Sequence, residues 1–383
     1  MTGLYDYAVR MRRYFHENPE LSFREHRTAE RIERELSSMG LRPVRVAGTG
    51  VYADIEGELP GRTVAIRADM DALPVHEDTG LPFSSRNEGV MHACGHDAHM
   101  AIALAVARSF AGDRHFRGRV RVFFQPAEES PPGGAVEMIR AGLLDGVDFV
   151  LGLHVMSRFP RGTVAVYPGP MMANADQFSV LVRGKGGHGS APHETVDAIV
   201  VASYLVQALQ TIVSRNVDPQ AAAVVTVGTV RGGDRYNIIA EKVEMTGTVR
   251  TLDTGVRDMV RRRMGEVVSG VCRSFGAECS LDYQEGYPVL VNNPDVVRTV
   301  EEVASLILGR ENVLHPPPDL GGEDFAYYLQ RVPGAFFFLG VGNSEKGIVA
   351  PQHSAHYDLD EDALAYGIEI LRGTALRLMG PQP

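Results

Sequence analysis

The segment Met91-His92-Ala93-Cys94-Gly95-His96-Asp97-Ala98-His99 is the densest cluster of metal-binding side chains in the chain. Cys94 and His96 stand two apart on a glycine-containing turn before a helix. A thiolate and an imidazole so placed can converge on one borderline metal such as zinc. The helix N-terminus behind them helps keep Cys94 as thiolate. An isolated Cys-x-His is more often a buried thiol beside ordinary loop histidines. Here further donors follow neighbouring strands, and they shift the balance. His99 reads as a packing or supporting histidine, and His92 is assigned no role.

Gln125-Pro126-Ala127-Glu128-Glu129 is the second cluster. Adjacent carboxylates in an extended or turn segment point different ways. One can bind a metal while the other faces the water bound to it, and hydrolysis needs both. Gly152-Leu153-His154-Val155 puts a histidine at the end of a very apolar strand. With Cys94, His96 and Glu129 available, it reads as a ligand. Near the C-terminus, Gln352-His353-Ser354-Ala355-His356-Tyr357 offers two histidines, either of which can close the site. Gly184-Lys185-Gly186-Gly187-His188-Gly189-Ser190 is not a phosphate loop, because its lysine precedes the glycines. Its glycines let the backbone project His188 outward. Arg250 closes a strand, and a guanidinium is the natural partner of a substrate carboxylate. Asn237 completes the polar list.

These side chains need elements to position them. Helical patterns cover 5–18, 25–39 and 98–111, and short apolar strands cover 51–55, 63–68, 120–124 and 149–153. Strands apolar on both faces, alternating with helices, indicate an α/β sheet covered on both sides. Asp69 and Asp71 follow one strand, Glu128 and Glu129 a second, and His154 a third. Ligands of open α/β sheets bind beyond the carboxyl ends of the strands. From 177 to 283 the pattern changes: strand 177–183, helix 194–215, strands 222–231 and 242–251, helix 255–275, strand 278–283. This β-α-β-β-α-β order is ferredoxin-like and reads as an inserted domain, 176–286. A helix at 295–308, a strand at 335–339 and a final helix at 360–379 complete a first domain made of 1–175 and 287–383.

A chain of 383 residues is too long for one ordinary core. Its apolar fraction of 44% and charged fraction of 22% are those of a globular protein. A formal net charge of −10 disfavours nucleic acid as a partner. The densest basic run, Arg261-Arg262-Arg263, reads as a solvated helix face. No apolar stretch reaches the ~18 residues that cross a bilayer, and the N-terminus lacks an apolar signal core. Three cysteines, Cys94, Cys272 and Cys279, argue against a disulfide framework and fit a reducing compartment. The expectation is a cytoplasmic protein with neither membrane nor nucleic-acid partner.

Taken together the motifs resemble the M20 metallopeptidase/amidohydrolase family, in the branch of hippurate hydrolases, indole-acetyl-amino-acid hydrolases and N-acyl-amino-acid amidohydrolases. The markers are Arg67-Ala68-Asp69-Met70-Asp71-Ala72-Leu73-Pro74, residues 91–99, 125–129, 152–155 and 184–193, and Gly321-Gly322-Glu323-Asp324-Phe325. The resemblance implies a mixed-sheet, zinc-peptidase-like catalytic domain with an inserted lid. It implies two divalent metal ions (Zn, Mn or Ni) held by Cys94, His96, Glu129, His154 and His353, with Cys94 bridging and Glu128 as general base. His353 is chosen over His356 by motif register. Asp71 matches the aspartate that orients a ligand histidine, and Asp69 is expected outside the ligand set. His188, Asn237 and Arg250 match lid residues that bind the oxyanion and the substrate carboxylate. The family also implies a homodimer in which His188 reaches a neighbour's site. The implied reaction is hydrolysis of N-acyl amino acids. Dipeptidase, carboxypeptidase or N-acetyl-diaminopimelate deacetylase activity, and a catalytically dead binding protein, are the alternatives.

Overall fold

Strands buried on both faces must lie between two layers. The structure, a computed structural model, describes residues 2–382. They form two compact units: one of residues up to Gly169 with Val291–Pro317 and Asp324 onward, the other of Pro170–Leu290 with Pro318–Glu323. The second unit reaches outside the expected 176–286, because backbone hydrogen bonds tie Met171 and Ala173 to Asp319 and Gly321 and so add 170–175 and 318–323 to it.

Among the described residues, the first unit holds a mixed sheet of eight strands. Their order is Val44–Val46, Gly50–Glu56, Arg117–Gln125, Leu59–Asp69, Phe149–Pro160, Gly334–Gly342, Val164–Ala165, Val313–Leu314. The four strands from Arg117–Gln125 to Gly334–Gly342 are mutually parallel. Phe336, Phe337 and Phe338 are all fully buried, alternating between the two faces. Each such ring contributes roughly 2–3 kcal/mol by leaving water. The helix His96–Gly112 is buried almost all round, as an uninterrupted apolar surface demands. Just before it, Gly95 adopts φ 91, and a Cβ there would stand 2.3 Å from Val155 Cγ2. Only glycine lets the turn bearing Cys94 and His96 approach the Phe149–Pro160 strand so closely.

One expectation needs correction here. The strand expected to stop at Leu153 continues to Pro160. Its neighbour Gly334–Gly342 keeps pairing with it as far as Pro160, whereas pairing with Leu59–Asp69 is registered only up to Gly152. His154 therefore sits inside a strand, beyond the last registered pair on that side.

In the second unit four antiparallel strands run in the order Ala223–Gly232, Lys242–Thr251, Ala175–Arg183, Glu278–Tyr287. The helices Ala198–Arg215 and Thr254–Ser274 share one apolar core with the sheet, through Phe178, Val180, Val182, Leu205, Met245 and Met264. The first helix begins later than the expected 194, because Asp197 caps it by accepting from the N–H groups of Ile199 and Val200. Contrary to the sequence expectation, this helix is long and apolar enough to cross a bilayer by length and composition. Its one charged residue, Arg215, lies in the last turn, and one face packs on the unit's own core.

The ladder between Ala175–Arg183 and Lys242–Thr251 continues past the sheet. Gly187 and His188 pair with Ile239 and Ile238. The result is a two-stranded ribbon with His188 and Asn237 near its tip.

The expectation that the cysteine count argues against disulfide bonding and fits a reducing compartment is also corrected. Cys272 and Cys279 form a disulfide with Cα atoms 6.1 Å apart, while Cys94 is free and buried. Cys272 ends a helix and Cys279 opens the next strand, so the turn between them sets the sulfurs side by side. The cysteine count then gives no ground for a reducing compartment. Closing this short loop restricts the unfolded chain, so reduction is expected to destabilise the second unit by roughly 2 kcal/mol. Urea denaturation with and without reductant checks this; superimposable transitions would reject it.

Candidate metal centre

The site is built where the parallel strands Leu59–Asp69, Arg117–Gln125 and Phe149–Pro160 bring their residues side by side. Asp69 pairs with Gln125, and Arg67 with Gly152. Cys94 and His96 arrive from the turn that starts the buried helix.

Their donor atoms fall into two groups. Cys94, His96 and His154 present one ligand atom each within 4.8 Å of one another, and so do Cys94, Glu129 and His353. Cys94 belongs to both. Its Sγ lies 3.3 Å from His154 Nε2. Glu129 Oε1 lies 3.4 Å from His353 Nε2 and 3.9 Å from His96 Nε2. Glu128 Oε2 stands 4.0 Å from His96 Nε2.

The imidazoles are oriented by carbonyl groups. His96 Nδ1 donates to the Asp71 carbonyl at 2.8 Å, and His154 Nδ1 donates to the Val155 carbonyl at 2.6 Å. A carbonyl only accepts, so each Nδ1 carries hydrogen and each Nε2 faces the cluster. His96 Nε2 and Glu129 Oε1 are buried without a hydrogen-bond partner. A buried polar atom left unpaired is costly, and a divalent cation is the partner that satisfies a sulfur, imidazoles and a carboxylate together. The residues present fit such an ion.

Asp71 does more than orient a histidine. Its Oδ1 accepts from the Glu128 N–H and its Oδ2 from the Glu129 N–H, both at 2.9 Å. Ser22 Oγ donates to Oδ2 at 2.7 Å. The histidine contact that the resemblance assigns to Asp71 is made chiefly by its carbonyl, with Oδ1 at 3.5 Å.

Asp69, His96 and His99 also cluster, yet His99 has no lone pair left. Its Nδ1 bonds Asp69 Oδ1 at 2.6 Å, and its Nε2 accepts from the Val155 N–H at 2.9 Å. Asp69 gives its other oxygen to Arg67 at 2.6 Å. Asp69 thus supports the ligands from behind. His353 and His356 separate plainly. His353 takes φ 66 and donates its N–H to the Ala93 carbonyl at 2.8 Å, which pins it beside Cys94. His356 turns instead to the Asp78 carbonyl, 2.7 Å away. His92 is buried with neither nitrogen bonded, and burial lowers its pKa to about 4.

The second unit carries the remaining three residues. His188 is exposed, and its Nδ1 is 3.2 Å from the Ser190 N–H and 2.8 Å from Ser190 Oγ. The N–H can only donate, so Nδ1 accepts and Nε2 carries the outward hydrogen. Asn237 lies beside it, its carbonyl accepting from the Gly189 N–H at 2.9 Å. Arg250 stands near the other end of the Lys242–Thr251 strand, roughly 25 Å along it from Lys242. Burial lowers its pKa, opposed by Asp176. Within this unit His188 and Asn237 are brought together, and Arg250 is not with them.

Residues 65–377 match the model of peptidase family M20/M25/M40. The chain belongs to that family. Over 94% of its length it is 43% identical to thermostable carboxypeptidase 2 of Saccharolobus solfataricus, covering 93% of that protein. It is 46% identical to the N-acyl-L-amino acid amidohydrolase of Geobacillus stearothermophilus, over 74% of this chain and 78% of the relative. The solved structure of Bacillus subtilis YXEP, a dinuclear metal binding peptidase from the M20 family, superposes with a TM-score of 0.87. It is 34% identical and covers 99% of each chain. As an M20 member the chain is a metal-dependent hydrolase with a mixed α/β fold.

Two supporting residues carry no sequence signal. Glu25 and Ser22 reach the site only through the fold. Ala127 is left-handed at φ 55 where glycine would be expected.

Charge in this M20 centre makes metal uptake depend on pH. Burial raises the Cys94 thiol well above its usual value, and Glu129, Glu128 and Asp69 raise it further. Burial alone would lower His96, but Asp69, Asp71 and Glu129 outweigh it and push it up to about 10. Both groups therefore hold a proton at neutral pH when no cation is bound. Uptake displaces one or both, so affinity is expected to rise roughly 10- to 100-fold per pH unit near neutrality. Calorimetric titration of the apoprotein with Zn or Mn at several pH values measures this; a flat affinity would contradict it.

Proposed function

We propose that this M20 hydrolase cleaves the amide bond of N-acyl amino acids, releasing a carboxylic acid and a free amino acid. The observation that carries this is the sharing of Cys94 between two donor groups, with the Glu128 carboxylate facing the same space. Two divalent cations held there would supply Lewis acidity and an acidified water. Zn, Mn and Ni all suit one sulfur, three imidazoles and a carboxylate. Glu128 takes the proton of the attacking water and returns it to the leaving nitrogen. His188 donates its Nε2–H to the carbonyl oxygen as charge develops, a contact worth roughly 3–4 kcal/mol in comparable sites. Arg250 and Asn237 hold the carboxylate of the amino-acid half.

The separation of Arg250 from the ribbon tip supports a division of labour between subunits. A small N-acyl amino acid does not span roughly 25 Å of strand. In a homodimer, Arg250 of one chain and the His188–Asn237 tip of the other can bracket a single substrate. Exposed Ile199, Val200, Tyr204, Val230 and Tyr236 give the second unit the apolar surface that such an interface buries. The carboxypeptidase relative favours a second reading, in which the acyl half is a peptide.

A panel of hippurate, N-acetyl amino acids and dipeptides separates the two readings; turnover of dipeptides alone would overturn the first. Glu128→Ala is expected to lose roughly 10²–10⁴-fold in kcat while keeping its metal. Substantial residual turnover in the metal-loaded variant would remove Glu128 from its role. Subunit exchange between inactive Glu128→Ala and inactive His188→Ala proteins should restore one working site per heterodimer. Failure of exchanged heterodimers to regain activity would show that His188 serves its own chain.

A further inference from the structure

We propose that Glu25 is a positioning residue, whose buried carboxylate holds the backbone at Ala127 so that Glu128 and Glu129 take up their separate tasks. This rests on the reading of Glu128 as proton shuttle and extends it to a residue a hundred positions earlier in the chain. Glu25 directly precedes the helix His26–Ser38, at its N-cap position. It makes no side-chain cap. Instead its Oε1 accepts from the Ala127 N–H at 2.9 Å, and Oε2 accepts from Thr49 Oγ1 at 2.7 Å. Glu25 is fully buried.

The same Oε1 also accepts from the Phe23 N–H at 2.9 Å. Phe23 and Ala127 both hold left-handed backbones, at φ 62 and 55. Neither is glycine, so each conformation persists only where its surroundings over-determine it. One carboxylate oxygen binds both strained N–H groups. At Ala127 the consequence is direct: the left-handed turn aims the next two N–H groups at the two oxygens of Asp71. The side chains that follow both approach His96 Nε2, Glu128 Oε2 at 4.0 Å and Glu129 Oε1 at 3.9 Å, and Glu129 also groups with Cys94 and His353. Glu25 is itself anchored, because its carbonyl accepts the Ala29 N–H and the helix buries Thr28, Ala29, Ile32 and Leu36.

Chemistry separates this role from mere filling. In Glu25→Gln the amide oxygen can still accept both N–H groups, while the NH2 donates to Thr49 Oγ1. Glu25→Ala offers no acceptor. Ala127→Gly removes the conformational penalty that Glu25 opposes. The experiment measures kcat, KM and Tm of metal-loaded wild type, Glu25→Gln, Glu25→Ala, Ala127→Gly and the Glu25→Ala/Ala127→Gly double variant. Glu25→Ala is expected to lose roughly 10- to 100-fold in kcat, with KM changing less, and Glu25→Gln to stay near wild type. Ala127→Gly should recover part of the lost kcat and Tm in the Glu25→Ala background, and shift the wild type less.

Wild-type kcat in Glu25→Ala, or an equal effect of Ala127→Gly in both backgrounds, overturns the proposal. If Glu25→Ala does not fold, Thr49→Val removes only the hydroxyl that orients the carboxylate. It is read the same way, with a smaller loss and the same rescue by Ala127→Gly. If the wild type cleaves no N-acyl amino acid, the substrate reading falls, and the coupling of the Tm shifts still decides the role of Glu25.

Discussion

The carboxylate of Asp71 grips two consecutive backbone N–H groups, those of Glu128 and Glu129, while its carbonyl steadies His96. Hydrogen bonds to a charged acceptor of this kind contribute roughly 1.5–3 kcal/mol each. They do more than stabilise. They tie the end of the Leu59–Asp69 strand to the turn after Arg117–Gln125 and to the start of the buried helix. Three separate stretches of chain are thereby held in one register. Without this joint, the five donor side chains would belong to independent loops.

Around that joint the electrostatics are lopsided. Asp69, Asp71, Glu128 and Glu129 converge in a largely buried space with a thiol. Arg67 opposes part of this charge from behind, and burial makes the remainder costly. The raised pKa values of Cys94 and His96 show the same imbalance. The polypeptide alone is electrostatically incomplete here, and divalent cations would complete it. Metal binding and the folding of this corner are therefore parts of one equilibrium.

Much of this was legible from residue types. Strands apolar on both faces gave away the covered sheet, and the β-α-β-β-α-β order is the one observed in the second unit. Cys94, His96, Glu129, His154 and His353 stood out by chemistry and motif register, and their side chains do stand together. What was not legible depends on geometry that residue types do not encode. The continuation of a strand through His154 depends on a partner almost two hundred residues away. The left-handed backbone that pins His353 beside Cys94 leaves no mark in the residue types. Glu25 falls in a helical pattern, and nothing in its residue type marks the contact with Ala127. Cys272 and Cys279 pair because a short turn happens to align them, which counting cysteines cannot show.

Beneath the donor atoms, Arg67 lies wholly buried between Asp69 at 2.6 Å and Asp324 at 3.0 Å. Taking away one member of such a group strands an uncompensated charge, at roughly 3–5 kcal/mol. That is a large part of the whole stability of an ordinary domain. Any lineage of sequences descending from this one is thus confined. A drift at 67, 69 or 324 alone passes through a poorly folded intermediate. Escape requires concerted exchange, so the floor of the site is historically frozen even where the chemistry above it is free to diversify.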